Sequence, residues 1–437
     1  MKRLITLIVG VLCTAPWSVR AQFDDAAAAQ LQKLVQAYRY VDAAYVDSLD
    51  TAPLVEEAIR GMLTRLDPHS AYLSEEEMKG VDESFDGSFG GIGIEFNVLN
   101  DTVVIVNTIA GGPSAQVGLL PGDRIVGIDG QRAVGLSRAE VPKRLRGPSG
   151  TQVRLEVSRH AVKEPLAFTV TRGDIPLHTV DAAYKVDAET GYIKVNRFGR
   201  TTMQEFVEAF KGMKGVRSLI LDLRGNGGGL LDQAVAMANF FLPRGSRIVS
   251  TEGRAVPPRA YTAPVDGAFL RGPVVVLIDE NSASASEIVS GAIQDWDRGV
   301  IVGRRTFGKG LVQKPIPLPD GSMIRLTVSR YYTPTGRCIQ KPYENGKIEE
   351  YHHDLIDRYN RGELMSADSI HFPDSMKYNT LVTERTVYGG GGIMPDVFIP
   401  VDTARYTDYH RKLVASGLVN RVSMNYLDRN RNQMMAK

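Results

Sequence analysis

The sequence predicts an α/β protein preceded by a small β-rich domain and a helical N-terminal segment. Three patterns carry that expectation. From Gly173 onward, short apolar runs such as Leu219-Ile220-Leu221 and Val274-Val275-Val276-Leu277-Ile278 alternate with stretches of helical spacing, as strand–helix–strand units on a buried sheet do. Between Phe85 and Arg172, apolar runs are broken by glycine turns. Between Asp24 and Met78, apolar residues recur every three or four positions.

The chain of 437 residues opens Met-Lys-Arg, then runs through an apolar stretch from Leu4 to Leu12 and on to Ala21. A basic start, a short apolar centre and a small residue at its end predict a secretory signal over residues 1–21, with Val19 at the minus-three position. Cys13 follows Leu12 where a lipid-attachment signal wants a small residue, so lipidation is not expected. No later stretch approaches the roughly 18 consecutive apolar residues of a stable span, and the expected mature chain is soluble. Cleavage removes Lys2, Arg3 and Arg20 and leaves 49 basic against 50 acidic side chains. That balance argues against nucleic acid or an anionic membrane as the main partner. Cys338 alone remains, so no intrachain disulfide forms and folding rests on buried cores.

Residues 22–80 read as the helical segment. Leu31, Leu34, Val35, Tyr38, Val41 and Tyr45 share one helical face, and Leu54, Ala58, Ile59, Met62 and Leu63 share another. Asp67-Pro68-His69-Ser70 stops the second helix, since proline excludes its neighbour from helical geometry.

Residues 85–172 read as the β-rich domain. Gly90-Gly91-Ile92-Gly93-Ile94-Glu95-Phe96 is a glycine loop entering a strand; Val103-Val104-Ile105-Val106, a turn at Gly111-Gly112-Pro113-Ser114, a short helix and Leu119-Leu120-Pro121-Gly122-Asp123-Arg124-Ile125 follow. This order resembles a PDZ domain, which takes a peptide as an added strand on a sheet edge and holds its terminal carboxylate with loop N–H groups. Gly91, Ile92, Gly93 and Ile94 are the candidate peptide-binding loop, glycine allowing the N–H groups to converge.

Residues 173–402 carry the α/β pattern. Tyr192-Ile193-Lys194-Val195 is a strand, and Thr201 is placed to cap the helix beginning at Thr202. The strand Leu219 to Arg224 runs into Gly225-Asn226-Gly227-Gly228-Gly229 and a helix from Leu230 to about Phe241. A phosphate loop would end in Gly-Lys-Ser/Thr, which this segment lacks. Asp279-Glu280-Asn281 ends the Val274–Ile278 strand, three serines alternate with alanine, and a helical pattern starts at Glu287. A hydroxyl on a strand-to-helix turn sits where free N–H groups favour negative charge, which suits a nucleophile. Ser284-Ala285-Ser286-Glu287 is equally a capping box, in which Ser284 would only bond a helical N–H.

The run Glu280 to Glu287, followed by Gly303-Arg304-Arg305-Thr306-Phe307-Gly308-Lys309-Gly310, resembles the C-terminal processing peptidases, or tail-specific proteases. The likeness extends from about Leu66-Asp67-Pro68-His69-Ser70-Ala71-Tyr72-Leu73 to Gly391-Gly392-Ile393-Met394-Pro395-Asp396-Val397. It implies a crotonase-like α/β core and a serine–lysine endopeptidase of proteins with accessible apolar C-terminal tails. It also implies Ser284 as nucleophile, Lys309 as base and Gln313 as the residue orienting it. The implied oxyanion donors are the backbone N–H groups of Ala285 and Gly228, with Gly229 as second choice. Gly227 stands where the family usually has proline. Relatives use an arginine in the region of Arg146 to link PDZ position to the active site, against the plain alternative of an exposed hairpin arginine. An adaptor or activator, a homodimer and a periplasmic or cell-envelope location belong to the same resemblance. No cofactor is implied.

Residues 341–386 read as a polar insertion. His352-His353 lacks a third ligand at zinc-like spacing, so a surface loop and no metal is expected. Residues 403–437 read as a polar helical tail without an assigned role. Of the competing functions, a Ser–His–Asp protease would need a serine in its glycine loop, and 226–229 has none. An inactive or gated peptide-binding envelope scaffold would keep the PDZ features and lose serine or lysine, yet both are present.

Overall fold

The computed structural model describes residues 25–403 and 407–435; the expected signal segment 1–21 lies outside them. One compact unit ends at Gly61 and a second begins at Met62. The first holds α1 (Asp25–Ala44), which buries none of its residues, and most of α2 (Thr51–Leu63).

After the end of α2, the second unit continues with one element inside the stretch read as helical and one that runs past its end. β1 (Ala71–Leu73) is a strand, and α3 (Glu75–Asp86) follows it. Ser74 caps α3 in a reciprocal box with Glu77, and Gly87 ends it at φ 78°. The helical spacing before Leu63 was therefore real but stopped at Asp67-Pro68, and the chain resumes as sheet.

β2 (Ser88–Gly91), β3 (Ile94–Leu99) and β4 (Thr102–Thr108) lead to α4 (Pro113–Gln116), β5 (Arg124–Ile128), β6 (Gln131–Arg132), α5 (Glu140–Leu145), β7 (Gln152–Ser158), β8 (Leu166–Thr171) and β9 (Gly173–Pro176). Strands β3, β4, β5, β7 and β8 form an antiparallel sheet in that order. Its inward faces alternate as strand geometry requires, and Val103, Ile105, Ile125, Val153, Leu155, Val157 and Val170 make a separate buried core with Val141 and Leu145 of α5. β3 is an edge. β2 and β9, the entry and exit of this domain, pair with each other from Ser88–Pro176 to Gly91–Gly173.

The α/β core contains β10 (Val180–Lys185), β11 (Thr190–Val195), α6 (Thr202–Gly212), β12 (Ser218–Asp222), α7 (Leu231–Asn239), β13 (Arg247–Glu252), β14 (Arg259–Thr262), β15 (Val274–Ile278), α8 (Ala285–Asp295), β16 (Val300–Gly303), β17 (Leu311–Pro317) and β18 (Met323–Tyr332). One sheet runs β10-β11-β12-β15-β16, and its last member is β21 (Val397–Phe398); all neighbours but β10–β11 are parallel. The second sheet, β1-β18-β13-β14 with β17 on β18, is antiparallel. One apolar core joins both sheets with α6, α7 and α8. Parallel strands buried on both faces need near-continuous β-branched runs, which is why Val274–Ile278 reads as it does.

Thr201 takes the cap position of α6, its carbonyl accepting from the Glu205 N–H at 2.9 Å, but its side chain makes no cap hydrogen bond. Its hydroxyl donates to Glu205 Oε1 at 2.6 Å, while the Thr202 hydroxyl accepts from the Gly199 N–H at 2.8 Å. The position expected for the cap is therefore kept while its hydroxyl serves Glu205, which also accepts from the N–H groups of Thr179 and Val180.

The polar insertion is partly buried. It carries α9 (Ile348–Asn360), then β19 (Lys377–Asn379) and β20 (Thr386–Tyr388) as a hairpin. Tyr351 and Arg358 of α9 are buried, whereas His352 and His353 are exposed. The tail forms α10 (Asp408–Ala415) and α11 (Leu418–Met435), and Asp428 pairs with Arg124 of β5 at 2.6 Å.

Candidate active site

Three adjacent parallel strands deliver the site. β12, β15 and β16 lie side by side, and their carboxyl ends release the glycine loop, the serine turn and the lysine loop in that order. The carboxyl edge of a parallel sheet is where such loops converge on a ligand.

The three serines of the turn separate by what their hydroxyls do. Ser282 is fully buried and donates to the Leu223 carbonyl at 2.8 Å. Ser286 is fully buried and donates to the Asn226 carbonyl at 2.9 Å. Both fasten the turn to the loop after β12. Ser284 is half-buried and lies at φ 56°, ψ −112°. A non-glycine residue there is strained, and such strain persists only where the surroundings fix it. The capping-box arrangement with Glu287 is present, but the Glu287 N–H donates to the Ser284 carbonyl at 2.9 Å and the Ser284 hydroxyl makes no side-chain cap hydrogen bond. The fold thus uses the serines on either side and holds Ser284 raised on a strained turn.

Gly228 packs against that turn. At φ 101°, an added Cβ would lie 2.7 Å from the Ala283 carbonyl oxygen and 2.8 Å from Ser284 Cβ, so only glycine fits. Its N–H is turned inward, donating to Asn226 Oδ1 at 2.9 Å. Among the described residues, the N–H groups of Ala285 and Gly229 have no acceptor. Of the expected oxyanion donors, the Ala285 N–H is thus unbonded, whereas of the two glycines it is Gly229 whose donor is left over.

Glu287 is the residue the sequence undersold. It is fully buried, and its carboxylate accepts from Ser284 N at 2.7 Å, Thr306 Oγ1 at 2.5 Å, Gly308 N at 2.8 Å and Lys309 N at 2.9 Å. Burial pushes its pKa up to about 7, against the pull of those four donors. Tyr331, buried on β18, donates to the carbonyls of Ser284 at 3.1 Å and of Lys309. The backbones of serine and lysine are thus tied twice, through N–H and through C=O.

Lys309 is half-buried, and burial lowers its pKa, helped by the Arg325 cation and opposed by Glu287 and Asp67. Loss of solvation disfavours the ammonium, which a lysine base requires. Among the described residues no hydrogen bond joins Lys309 to the Ser284 hydroxyl. Gln313 also faces elsewhere: its amide donates to the Leu311 carbonyl and to Thr327 Oγ1, each at 3.2 Å. Thr327 is in turn held by Asp67 at 2.8 Å, and its N–H by Ser70 at 3.0 Å. The Asp67–Ser70 segment thereby borders the lysine. His69 within it is pushed down to about 3 by burial first and by the Lys309 charge second, and it meets Tyr351 OH at 3.1 Å.

The insertion buttresses the lysine loop. Arg358 donates to the carbonyls of Thr306 at 3.0 Å and Arg305 at 2.7 Å, and Lys341 lies 4.1 Å over the Phe307 ring. Nothing in the sequence spacing of 341–386 signalled that. Among the described residues no group of three or more side chains is placed to hold a metal.

Gly91, Ile92, Gly93 and Ile94 line a small cavity of about 90 Å³ between the β3 edge and α5, closed by Phe89, Phe96, Pro142 and Leu145. Arg146 also lines it, with its guanidinium 4.1 Å over the Phe89 ring and 3.1 Å from Glu83 of α3. Arg146 is therefore a groove residue tied to the helix that precedes the domain. Among the described residues no hydrogen bond or ion pair of Arg146 reaches Ser284 or Lys309.

Family models match three stretches: "Peptidase family S41" over residues 189–349, "PDZ domain" over 104–159 and "Activating protease CtpB N-terminal domain" over 15–77. The chain is 38% identical over 352 residues to a carboxy-terminal-processing protease of Bartonella bacilliformis, covering 78% of this chain and 80% of that protein. It is 35% identical over 329 residues to the carboxy-terminal processing protease CtpA of Bacillus subtilis, covering 74% and 70%. Among solved structures, the photosystem II D1 C-terminal processing protease matches at a TM-score of 0.45 and 28% identity, covering 84% of this chain and 92% of that one.

Proposed function

The chain belongs to the carboxy-terminal processing proteases of peptidase family S41, and from that premise we propose that it is an exported endopeptidase working through Ser284 and Lys309 on proteins with apolar C-terminal tails. The observation that carries the assignment is the sorting of the serines. Ser282 and Ser286 spend their hydroxyls on the fold, and Ser284 alone is raised on a strained turn beside a desolvated lysine.

Neutral Lys309 takes the Ser284 proton as the serine oxygen attacks the scissile carbonyl carbon. The Ala285 N–H and a second N–H from the Gly228–Gly229 segment hold the oxyanion. In the geometry described, Gly229 serves directly and Gly228 serves once released by Asn226. The lysine returns the proton to the leaving amine, and water then hydrolyses the acyl-enzyme. The tail adds as a strand to the β3 edge, its carboxylate at Gly91–Ile94 and its apolar side chain against Ile92, Phe96 and Leu145. A gated enzyme is the version favoured by the Lys309 side chain, which makes no hydrogen bond to Ser284, and by Gln313 held on Thr327; both must move for the dyad to form. The signal-like residues 1–21 support a periplasmic or envelope location.

Cleavage of an unfolded protein ending in an apolar tail tests the assignment. Ser284→Ala and Lys309→Ala are expected to lose at least about 10³-fold in kcat. Residual cutting by Ser284→Ala at the wild-type rate would sink the nucleophile.

A further inference from the structure

We propose that Glu287 is a positioning residue of the reaction: one carboxylate that must be ionised to hold the nucleophile turn and the lysine loop in register. The proposal rests on the serine–lysine reading above. Its basis is the count of donors against acceptors. Oε1 accepts from the Thr306 hydroxyl and the Gly308 N–H, and Oε2 from the N–H groups of Ser284 and Lys309. An ionised carboxylate offers about four lone-pair sites, and all four are used.

A proton on this carboxyl has no good place to go. On Oε2 it would meet two backbone N–H groups, neither of which accepts. On Oε1 the Thr306 oxygen could take it beside the Ile393 N–H at 2.6 Å, but only by turning its own hydroxyl proton away from Glu287; the Gly308 N–H would then face a protonated oxygen, a poor acceptor. Protonation therefore releases either the serine turn or the lysine loop. Misplacing reacting groups by about 1 Å costs on the order of 10²-fold in rate. The titratable groups acting on Glu287 are Lys309 from the loop after β16, Tyr331 from β18 and Tyr351 from α9. Burial holds both phenols far above neutrality, so Lys309 is the one that changes charge beside it. With Glu287 raised to about 7 by burial, its titration falls in the working range.

The test is the acid limb of the pH profile, from pH about 5 to 9, for wild type and Glu287→Gln, with the tail-bearing substrate above. If the carboxylate must be ionised and the lysine neutral, log kcat of wild type rises with a limiting slope of two. Glu287→Gln is expected to show a slope of one, a kcat about 100-fold lower at its optimum, and a KM within about twofold. Its binding of a fluorescent tail peptide, read by anisotropy, is expected to match wild type, which separates lost positioning from lost folding. A wild-type slope of one overturns the proposal even if the variant does not fold, and so does a Glu287→Gln variant within about twofold of wild-type kcat. Cutting by Ser284→Ala would instead overturn the dyad, a failure distinguishable from an intact dyad indifferent to Glu287.

Discussion

The two ends of α8 each bury a carboxylate, and they handle the charge in opposite ways. Asp295, at the last turn, faces Arg337 at 2.6 Å with both side chains fully buried, and Thr335 adds its N–H at 3.0 Å and its hydroxyl at 2.8 Å. Glu287, at the first turn, has four donors and none is a cation. A buried anion given a cation has its charge balanced by a partner. One given only dipoles stays within reach of its proton. The difference teaches which end of the helix is structure and which is poised for chemistry, although both are equally hidden from solvent.

Breaking the far end should have the largest effect on stability. Arg337→Leu leaves Asp295 buried without its counter-charge, which costs about 3–5 kcal/mol and should appear as a lower urea midpoint. The near end should respond in activity more than in stability. Tyr331→Phe removes one hydroxyl from the carbonyls of Ser284 and Lys309; a loss of about 1–1.5 kcal/mol corresponds to a kcat lower by roughly tenfold. A Tyr331→Phe enzyme with full kcat would show that the N–H ties through Glu287 suffice. The smallest effect is the pH dependence of folding. Glu287 binds its proton more tightly folded than unfolded, because burial raises it from 4.5 to about 7. Its contribution is therefore most favourable below pH about 4.5 and is lost as pH rises toward about 7. The stability difference between wild type and Glu287→Gln should drift in that sense across this window, and a flat difference would mean the carboxyl titrates as an ordinary one.

Much of this was legible in the sequence because it is local. Val274–Ile278 and the run from Leu219 are buried parallel strands because short, near-continuous apolar runs suit no other place so well. The turn Glu280–Glu287 announces a strand-to-helix junction by its own residues. What stayed hidden is long-range. Glu287 had a complete local explanation as the far half of a capping box, while three of its four partners lie 19 to 22 positions on. Gln313 could be matched to its expected role, but its present partner Thr327 is fixed by Asp67, 260 positions away. Residues 341–386 looked like solvent-facing polar sequence because Arg358 and Lys341 are charged; only the fold reveals that their charges are spent on carbonyls and rings beneath the lysine loop. Charged side chains buried for backbone carbonyls leave no periodic trace.

The pairing of β2 with β9 bears on how the small domain can be moved or replaced. Antiparallel partners stand about 5 Å apart, so the chain leaves for the domain and comes back through what is mechanically one stem. A domain on two slack tethers would drift; one on a paired ribbon is confined to bending or twisting about it. The same stem is a natural graft junction. A foreign peptide-binding module whose ends meet at that spacing could be spliced between Gly91 and Gly173, register partners at the stem's tip, without lengthening either connection.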